Sequence, residues 1–236
     1  MLGTGNKQLT VQELSIRIYS DGFSFSTPQS QKDVKAAHGK SLHEALEEAF
    51  AANALLRPDY EEVNIYADYP STRIPLDEFR SEEAQALYRL TLGQDSLTGM
   101  KMHYEMLPAL EVIEVFAIES DIEEIILRHY PHATIHSYFG QLMNRMLARD
   151  KRMQGDNRRL YAHTNGRQLF LFSYNDGKLQ FANSFEASSL SNQVYFLLYA
   201  WKQLGLQQAK DTCILLDNNK ELEAELRRYL KNIECA

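Results

Sequence analysis

One order of predicted strands and helices occurs twice in this chain of 236 residues. Residues 14–19 and 23–27 alternate apolar and polar side chains around Ser20-Asp21-Gly22, which predicts an antiparallel hairpin. A third short strand, a helix, a strand and another helix follow this hairpin. After residue 157 the same order returns, starting with a hairpin around Asn165-Gly166. Because the two halves share no visible sequence identity, what repeats is the topology.

The predicted helices have recognisable caps and apolar faces. Ser41 and Glu44 form a capping box ahead of apolar residues at helical spacing, so we expect a helix that reaches about Leu56. Residues 81–92 predict a second amphipathic helix. In the second half, Gly205 is the predicted stop of a helix over residues 191–204.

The middle of the chain predicts a sheet with parallel strands. Residues 111–118 are almost continuously apolar, as in a strand that is buried on both faces. A helix that begins at Ser120 or Asp121, a strand over residues 133–138 and a helix over 139–153 follow. Such alternation of strands and helices favours a parallel or mixed α/β sheet.

The polar, turn-prone residues 154–157 predict the boundary between two domains, 1–155 and 156–236. In each, three antiparallel strands precede alternating helices and parallel strands, which is the order of a ribonuclease H-like unit. Two such units in tandem resemble the actin-like ATPase architecture. After a last predicted helix over 219–230, the second unit is expected to lack a final strand and helix. A partner strand would fit such an open edge.

Bulk properties narrow the function classes. The 25 Lys and Arg against 32 Asp and Glu give a net charge of −7, which disfavours nucleic-acid binding. No apolar run approaches the ~20 residues that span a bilayer, so no direct membrane insertion is expected. Met1–Thr10 lacks the pattern of a signal peptide, and two cysteines are too few for a disulfide framework. We therefore expect a cytoplasmic protein.

Three segments together resemble a known family. They are SIRIYSDGFSFS near the start, residues 115–139 in the middle, and LFLFSYNDGKLQFANSFE later. The chain resembles, over about residues 12–232, an uncharacterised bacterial family that is described only as a domain of unknown function. That family is grouped with the actin-like ATPases, near the actin-like proteins of type IV pilus assembly.

The resemblance implies candidate nucleotide-binding residues. Actin-like ATPases bind nucleotide between their halves, and each half offers a hairpin turn to the phosphates, with an acid for a hydrated magnesium ion. The matching positions here are Asp21 and Gly22 in the first turn, and Thr164, Asn165 and Gly166 in the second.

The matching positions also depart from the pattern. Phe23 and Phe25 follow the first turn where small or hydroxyl residues are usual, and Asn165 stands where the second turn has its acid. The late loop of residues 216–219 has no glycine, although the adenosine-contacting loop of this class usually has a pair. The resemblance thus implies an eroded site, with ATP and magnesium as the cofactors to test and no cofactor as the main expectation.

Two metal-dependent alternatives have sequence candidates. A ribonuclease H-type nuclease needs a carboxylate midway on its first strand, where this chain has Arg17, although Glu47, Glu48 and Asp68 could fill other positions. The histidines at positions 129, 132, 136 and 163 are considered as metal ligands, but Pro131 divides them between a helix end and a strand, so we expect no metal site there.

No local sequence signature joins either cysteine to a histidine, as a catalytic thiol would require. Cys213 lies in the apolar run CILL and is expected to be a buried thiol, while Cys235 is expected to be exposed.

The sequence therefore favours a non-catalytic protein that binds an unknown protein partner or itself. A divergent ATP-binding protein that uses Asp21 is the alternative, and a metal-dependent nuclease is a remote one.

Overall fold

A computed structural model describes residues 13–36, 39–153 and 157–236. The segment Met1–Thr10 and the residues Gln154–Asp156 of the predicted linker lie outside these ranges. The strands are β1 (Glu13–Tyr19), β2 (Gly22–Thr27), β3 (Ser30–Lys35), β4 (Glu62–Asp68), β5 (Ser71–Pro75), β6 (Met100–Leu107), β7 (Val112–Glu119), β8 (Thr134–Ser137), β9 (Arg159–Asn165), β10 (Gln168–Asn175), β11 (Lys178–Glu186), β12 (Thr212–Leu215) and β13 (Asn232–Cys235). The helices are α1 (Leu42–Ala52), α2 (Ser81–Leu92), α3 (Ser120–His129), α4 (Tyr138–Asp150), α5 (Leu190–Gln203) and α6 (Lys220–Leu226), with a 3₁₀ turn at Pro108–Leu110.

The chain divides into two compact units whose segments alternate along the sequence. The described residues of the first unit lie within Met1–Ser71, Arg80–Glu105 and Glu114–Tyr138. The second unit comprises Thr72–Phe79, Met106–Ile113 and Phe139–Ala236. The division thus differs from the predicted boundary between residues 155 and 156.

The position of α4 explains why the second unit already begins at Phe139 in the last part of the chain. Its apolar residues pack on the second unit: the Phe139 ring lies 4.6 Å from the ring of Phe170, and the Tyr174 hydroxyl donates to the carbonyl of Met143. Helical periodicity shows that α4 buries one face, but it does not show which sheet that face meets.

The sheet of the first unit has the order β3-β2-β1-β4-β8. β1 is antiparallel to β2 and parallel to β4, which is parallel in turn to β8. Alternate residues of β1, including Ile16 and Ile18, are fully buried in a core that also contains Leu46 of α1 and Ile125 of α3. The alternation seen in the sequence therefore marks the face that the helices cover.

The capping box of α1 forms as predicted. The Ser41 hydroxyl accepts a hydrogen bond from the Glu44 N–H at 3.1 Å, and the Glu44 carboxylate accepts one from the Ser41 N–H at 2.8 Å. The helix ends at Ala52, four residues earlier than expected, because Asn53 has extended backbone angles and is the C-cap.

The strands β5, β7 and β6 form a third sheet in that order. The central strand β7 is buried on both faces, as its apolar sequence predicted, and Val115, Phe116, Ala117 and Ile118 have no exposed surface.

The sheet of the second unit has the order β11-β10-β9-β12-β13. Leu160 and Leu171 pack on the side of Trp201 from α5 and Leu226 from α6. On the opposite side of the same sheet, the ring of Phe172 lies 5.7 Å from that of Phe139 in α4. Gly205 follows α5 with a φ of +63°, as expected for a helix stop.

The expectation that the second unit lacks a final strand was wrong. β13 pairs parallel to β12 and buries Ile233 against the core. α6 ends at Leu226 rather than near Leu230, which leaves residues for a turn and the strand. The edge strand of this sheet order is therefore β13 and not β12.

Gly22 is needed for close packing within the first sheet. A Cβ atom at this position would lie 2.5 Å from the backbone carbonyl oxygen of Val34, and backbone cannot yield as a flexible side chain can. We expect Gly22→Ala to lower the free energy of unfolding by about 1–3 kcal/mol, the usual cost of overpacking. Urea unfolding measures the change. The control Ser20→Ala, at an exposed neighbouring position, should change the free energy of unfolding by less than about 0.5 kcal/mol. An unaltered urea midpoint for Gly22→Ala would contradict the packing role of Gly22.

Candidate functional site

The second predicted turn lies beside an acid that follows β12. Thr164 and Asn165 end β9, and Gly166 at the tip has a φ of +54°. Because β9 and β12 are parallel, their carboxyl ends meet at one edge, and Asp217 comes alongside Thr164. The Thr164 N–H donates to Asp217 Oδ1 at 2.9 Å, and the Thr164 hydroxyl donates to Oδ2.

Three more polar residues complete what we call the Asp217 cluster. The Asn219 amide donates to Thr164 Oγ1 at 3.3 Å and to Gln193 Oε1 at 3.4 Å, and its oxygen caps α6 by accepting from the Leu222 N–H at 3.0 Å. His163 Nδ1 lies 3.5 Å from Asp217 Oδ1. The cluster thus consists of His163, Thr164, Gln193, Asp217 and Asn219.

The cluster holds a charged carboxylate. Burial raises the pKa of Asp217, but the hydrogen bonds from His163 and Thr164 outweigh burial and keep the pKa below its ordinary value. The carboxylate is therefore ionised at neutral pH. The sequence pattern shows Asp217 only as one residue of a loop without glycine. One signal in the sequence could have identified Asp217. It directly follows a predicted strand, and in a ribonuclease H-like unit that strand runs parallel to the strand that ends at the Asn165-Gly166 turn.

The first predicted turn is built differently. Asp21 is exposed at its tip, and its carbonyl accepts from the Ala36 N–H at 3.1 Å, while Gly22 is buried. Phe23 and Phe25 point into the core of the first unit. Their rings therefore lie in the core of the first unit, because side chains on alternate positions of β2 face the helices.

The first unit also holds a carboxylate beside its first strand. Asp68 ends β4 and is buried, and its Oδ2 accepts hydrogen bonds from Arg17 Nε at 2.8 Å and from Arg17 Nη2. The guanidinium lies 3.6 Å from the centre of the Tyr138 ring. Each unit therefore has an acid at or just after the end of a strand, Asp68 at the end of β4 and Asp217 after β12. In each unit the acid is bound by a residue of the strand that runs parallel beside it, Arg17 of β1 or Thr164 of β9.

The carboxylates considered for a nuclease lie in separate ion pairs. Glu47 pairs with Arg128 at 3.1 Å and Glu48 with Lys40 at 2.6 Å, while Asp68 pairs with Arg17. The structure brings no two of these three acids into one described hydrogen-bond group.

The four histidines considered for a metal also have separate surroundings. His129 stacks on Phe50 at 4.1 Å, His132 Nε2 lies 3.2 Å from the Tyr60 carbonyl, and His136 Nδ1 lies 2.6 Å from Glu105, while His163 belongs to the Asp217 cluster. Within residues 13–36, 39–153 and 157–236, no group of three or more His, Cys, Asp or Glu is placed to hold a metal ion.

The two cysteines lie where the sequence suggested. Cys213 is buried in β12, and burial raises the pKa of its thiol to about 12. Cys235 is exposed on β13, where its thiol donates to Glu223 at 3.4 Å. In the described part of the chain, no helix is long and apolar enough to cross a membrane.

The fold defines the class of this protein, and comparison with known structures agrees with it. A Bacteroides thetaiotaomicron protein with an actin-like ATPase fold and unknown function is 27% identical, with a TM-score of 0.86 over 96% of this chain and 91% of that one. A chain of the PilM–PilN type IV pilus biogenesis complex is 11% identical, with a TM-score of 0.58 over 96% of this chain and 88% of that one. The chain thus has the two-domain, ribonuclease H-like fold of the actin-like ATPases.

The family can be stated as well. The model of the family described as protein of unknown function (DUF3822) matches residues 5–233, and the chain belongs to this family. No curated protein matches the chain.

The Asp217 carboxylate should contribute to stability in a pH-dependent way. Because its pKa is lower in the folded state, the contribution is complete above the unfolded pKa and is lost as the pH falls through the folded one. We expect Asp217→Asn to lower the free energy of unfolding by about 1 kcal/mol at pH 7, and the difference from wild type to shrink below about pH 4. Denaturant unfolding across pH 2.5–7 (about five values) measures it. Asp176→Asn, at an exposed turn, is the control. If the difference in unfolding free energy between Asp217→Asn and wild type did not depend on pH, Asp217 would not be the stabilising carboxylate.

Proposed function

We propose that this protein is a non-catalytic, cytoplasmic member of the actin-like fold class that works by binding a protein partner. The observation that carries the proposal is the bond between Asp217 and the second turn. In this class the turn offers its donors to phosphates, but here the N–H and the hydroxyl of Thr164 both donate to a carboxylate of the chain itself.

An internal carboxylate opposes the binding of a phosphate at that turn. A phosphate would have to displace Asp217 from Thr164 or lie beside it as a second negative charge. Two unit charges 4 Å apart at a protein surface repel by about 4 kcal/mol. With Asn165 in place of an acid, the second turn also has no carboxylate of its own for magnesium.

The first turn offers little in compensation. Of its two candidate residues, only Asp21 carries a charge, and Gly22 is explained by its packing against Val34. The neighbouring cation, Arg17, is held by Asp68 and by the Tyr138 ring. ATP and magnesium therefore remain cofactors to be tested and are not part of the proposed function.

An exposed aromatic surface on α5 supports partner binding. Tyr195 is 61% exposed and Tyr199 49% exposed, and their rings stack with centres 6.2 Å apart. Exposed tyrosines are enriched in protein interfaces, where a rigid ring buries much area at a small entropic cost. The PilM–PilN complex also shows a protein with this fold in a complex with another protein. The partner of the present chain is proposed to be an unidentified protein or a second copy.

The first test is nucleotide binding. We expect millimolar ATP·Mg to leave the melting temperature unchanged and to give no binding heat. A ligand at about 100 times its Kd would stabilise the protein by about 2.7 kcal/mol, which is a shift of about 2–4 °C at this size. A saturable shift that Asp21→Ala abolishes would overturn the proposal in favour of the divergent ATP-binding protein.

The second test concerns α5. We expect the double variant Tyr195→Ser, Tyr199→Ser to keep the wild-type melting temperature and to lose the partner, or the self-association, that wild type shows. Light scattering measures self-association, and affinity capture followed by mass spectrometry identifies a partner. Tyr229→Ser is the matched control, since Tyr229 is 43% exposed elsewhere on the second unit. Equal capture by the double variant and the control would remove α5 from the interface.

A further inference from the structure

A groove on the first unit follows one face of α3. Its volume is about 420 Å³, and it is lined by Lys101, Ser120, Glu123, Glu124, Leu127 and Arg128. Five of these residues recur every three or four positions along α3, so they form a stripe on one side of the helix. Lys101 comes from β6, whose start lies next to the helix, since the Ser120 N–H donates to the Gly99 carbonyl at 2.9 Å.

A buried carboxylate forms the base of this groove. The Glu123 side chain is only 3% exposed, and it accepts from Lys101 Nζ at 2.6 Å and lies 2.8 Å from His103 Nε2. The ring of His103 in turn stacks on Phe116 at 5.5 Å. The Lys101 ammonium is thus bound to Glu123 through one of its three N–H donors, and two donors can bind another group.

The opposite end of the groove has a second charged pair. Arg128 Nη2 donates to Glu124 at 3.2 Å, and Arg128 Nη1 donates to Glu47 on α1 at 3.1 Å. Glu124 itself is 75% exposed, so its second oxygen faces solvent. Leu127 lies about one helical turn from both Glu123 and Glu124 and is the apolar part of the lining.

The groove is lined by side chains of both charges, and this determines which class of ligand fits it. A purely anionic ligand would meet Glu123 and Glu124, and a purely cationic one would meet Lys101 and Arg128. A molecule with both charges can place each against its opposite. We propose that this groove binds a zwitterion with an aliphatic body: its carboxylate on Lys101 and the Ser120 hydroxyl, its ammonium on Glu124, and its side chain on Leu127.

The dimensions agree with a small ligand of this chemistry. Ser120 and Glu124 are four positions apart on the helix, about 6 Å, which suits a carboxylate and an ammonium separated by one carbon atom. The volume lies in the lower part of the usual range for small-molecule sites, about 300–1,000 Å³. A free aliphatic amino acid has this separation, while a short aliphatic peptide offers the same charged groups further apart, and direct titration distinguishes the two.

The test is calorimetric titration of the full chain with L-leucine and with dileucine. We expect saturable binding of at least one of them, and the tighter one identifies the source. N-acetyl-L-leucine, which has no ammonium, and L-leucinamide, which has no carboxylate, should each bind at least about tenfold more weakly than leucine. Absence of saturable binding of both leucine and dileucine at about 10 mM, or equal binding of a blocked analogue, would overturn the proposal.

A variant tests the location of the site. Glu124→Gln removes the charge that the ammonium would meet, and the high exposure of this side chain leaves the fold unaffected, which thermal unfolding checks. We expect binding of the tighter ligand to weaken at least about tenfold. The matched control Glu221→Gln, at an exposed glutamate of α6 in the second unit, should bind as wild type does. Wild-type affinity in Glu124→Gln would place the ligand elsewhere and refute the assignment.

Discussion

The parallel pairing of each first strand with the strand after the first helix is the contact on which the rest of the structure depends. In the first unit it joins β1 to β4, and in the second it joins β9 to β12. The pairing is long-range, and it places the end of one strand beside the end of another. A hairpin turn and a strand-end acid that are about fifty residues apart therefore become neighbours in both units.

The two units use this juxtaposition in different ways. In the first, the acid is Asp68, and the cation Arg17 neutralises it from within the sheet. In the second, the acid is Asp217, and neutral donors of Thr164 bind it directly at the turn. The first arrangement is an ion pair with a buried oxygen, while the second uses backbone and hydroxyl donors that an incoming anion would otherwise require. The same topology thus leads to two different local chemistries.

Much of the fold followed from short-range patterns. Alternation predicted the hairpins, the Ser41–Glu44 capping box predicted the start of α1, and the apolar run of β7 predicted burial on both faces. These features depend on neighbouring residues, so a local pattern can reveal them. β13 could not be predicted in this way: its four residues have one inward apolar side chain, Ile233, and become a strand only by pairing with β12.

The position of the second turn was predictable to a similar degree. The turn residues Thr164, Asn165 and Gly166 were found from the sequence, and the structure places them at the end of β9 and the tip of the hairpin. Their interaction with Asp217 was missed because it depends on strand order in space. The burial of Phe23 and Phe25 was not evident for a related reason, since the order of residues after a turn does not show which ones face the core.

The alternation of the two units along the chain limits how this protein can be divided. The second unit takes Thr72–Phe79 and Met106–Ile113 from within the first, in addition to Phe139–Ala236. A single cut before Phe139 therefore divides the second unit: a fragment that starts at Phe139 lacks two of its segments, and a fragment that ends at Tyr138 carries those two segments in addition to the first unit. Gene fusion or recombination at this point would not transfer the second unit intact, so the two units are expected to be inherited together.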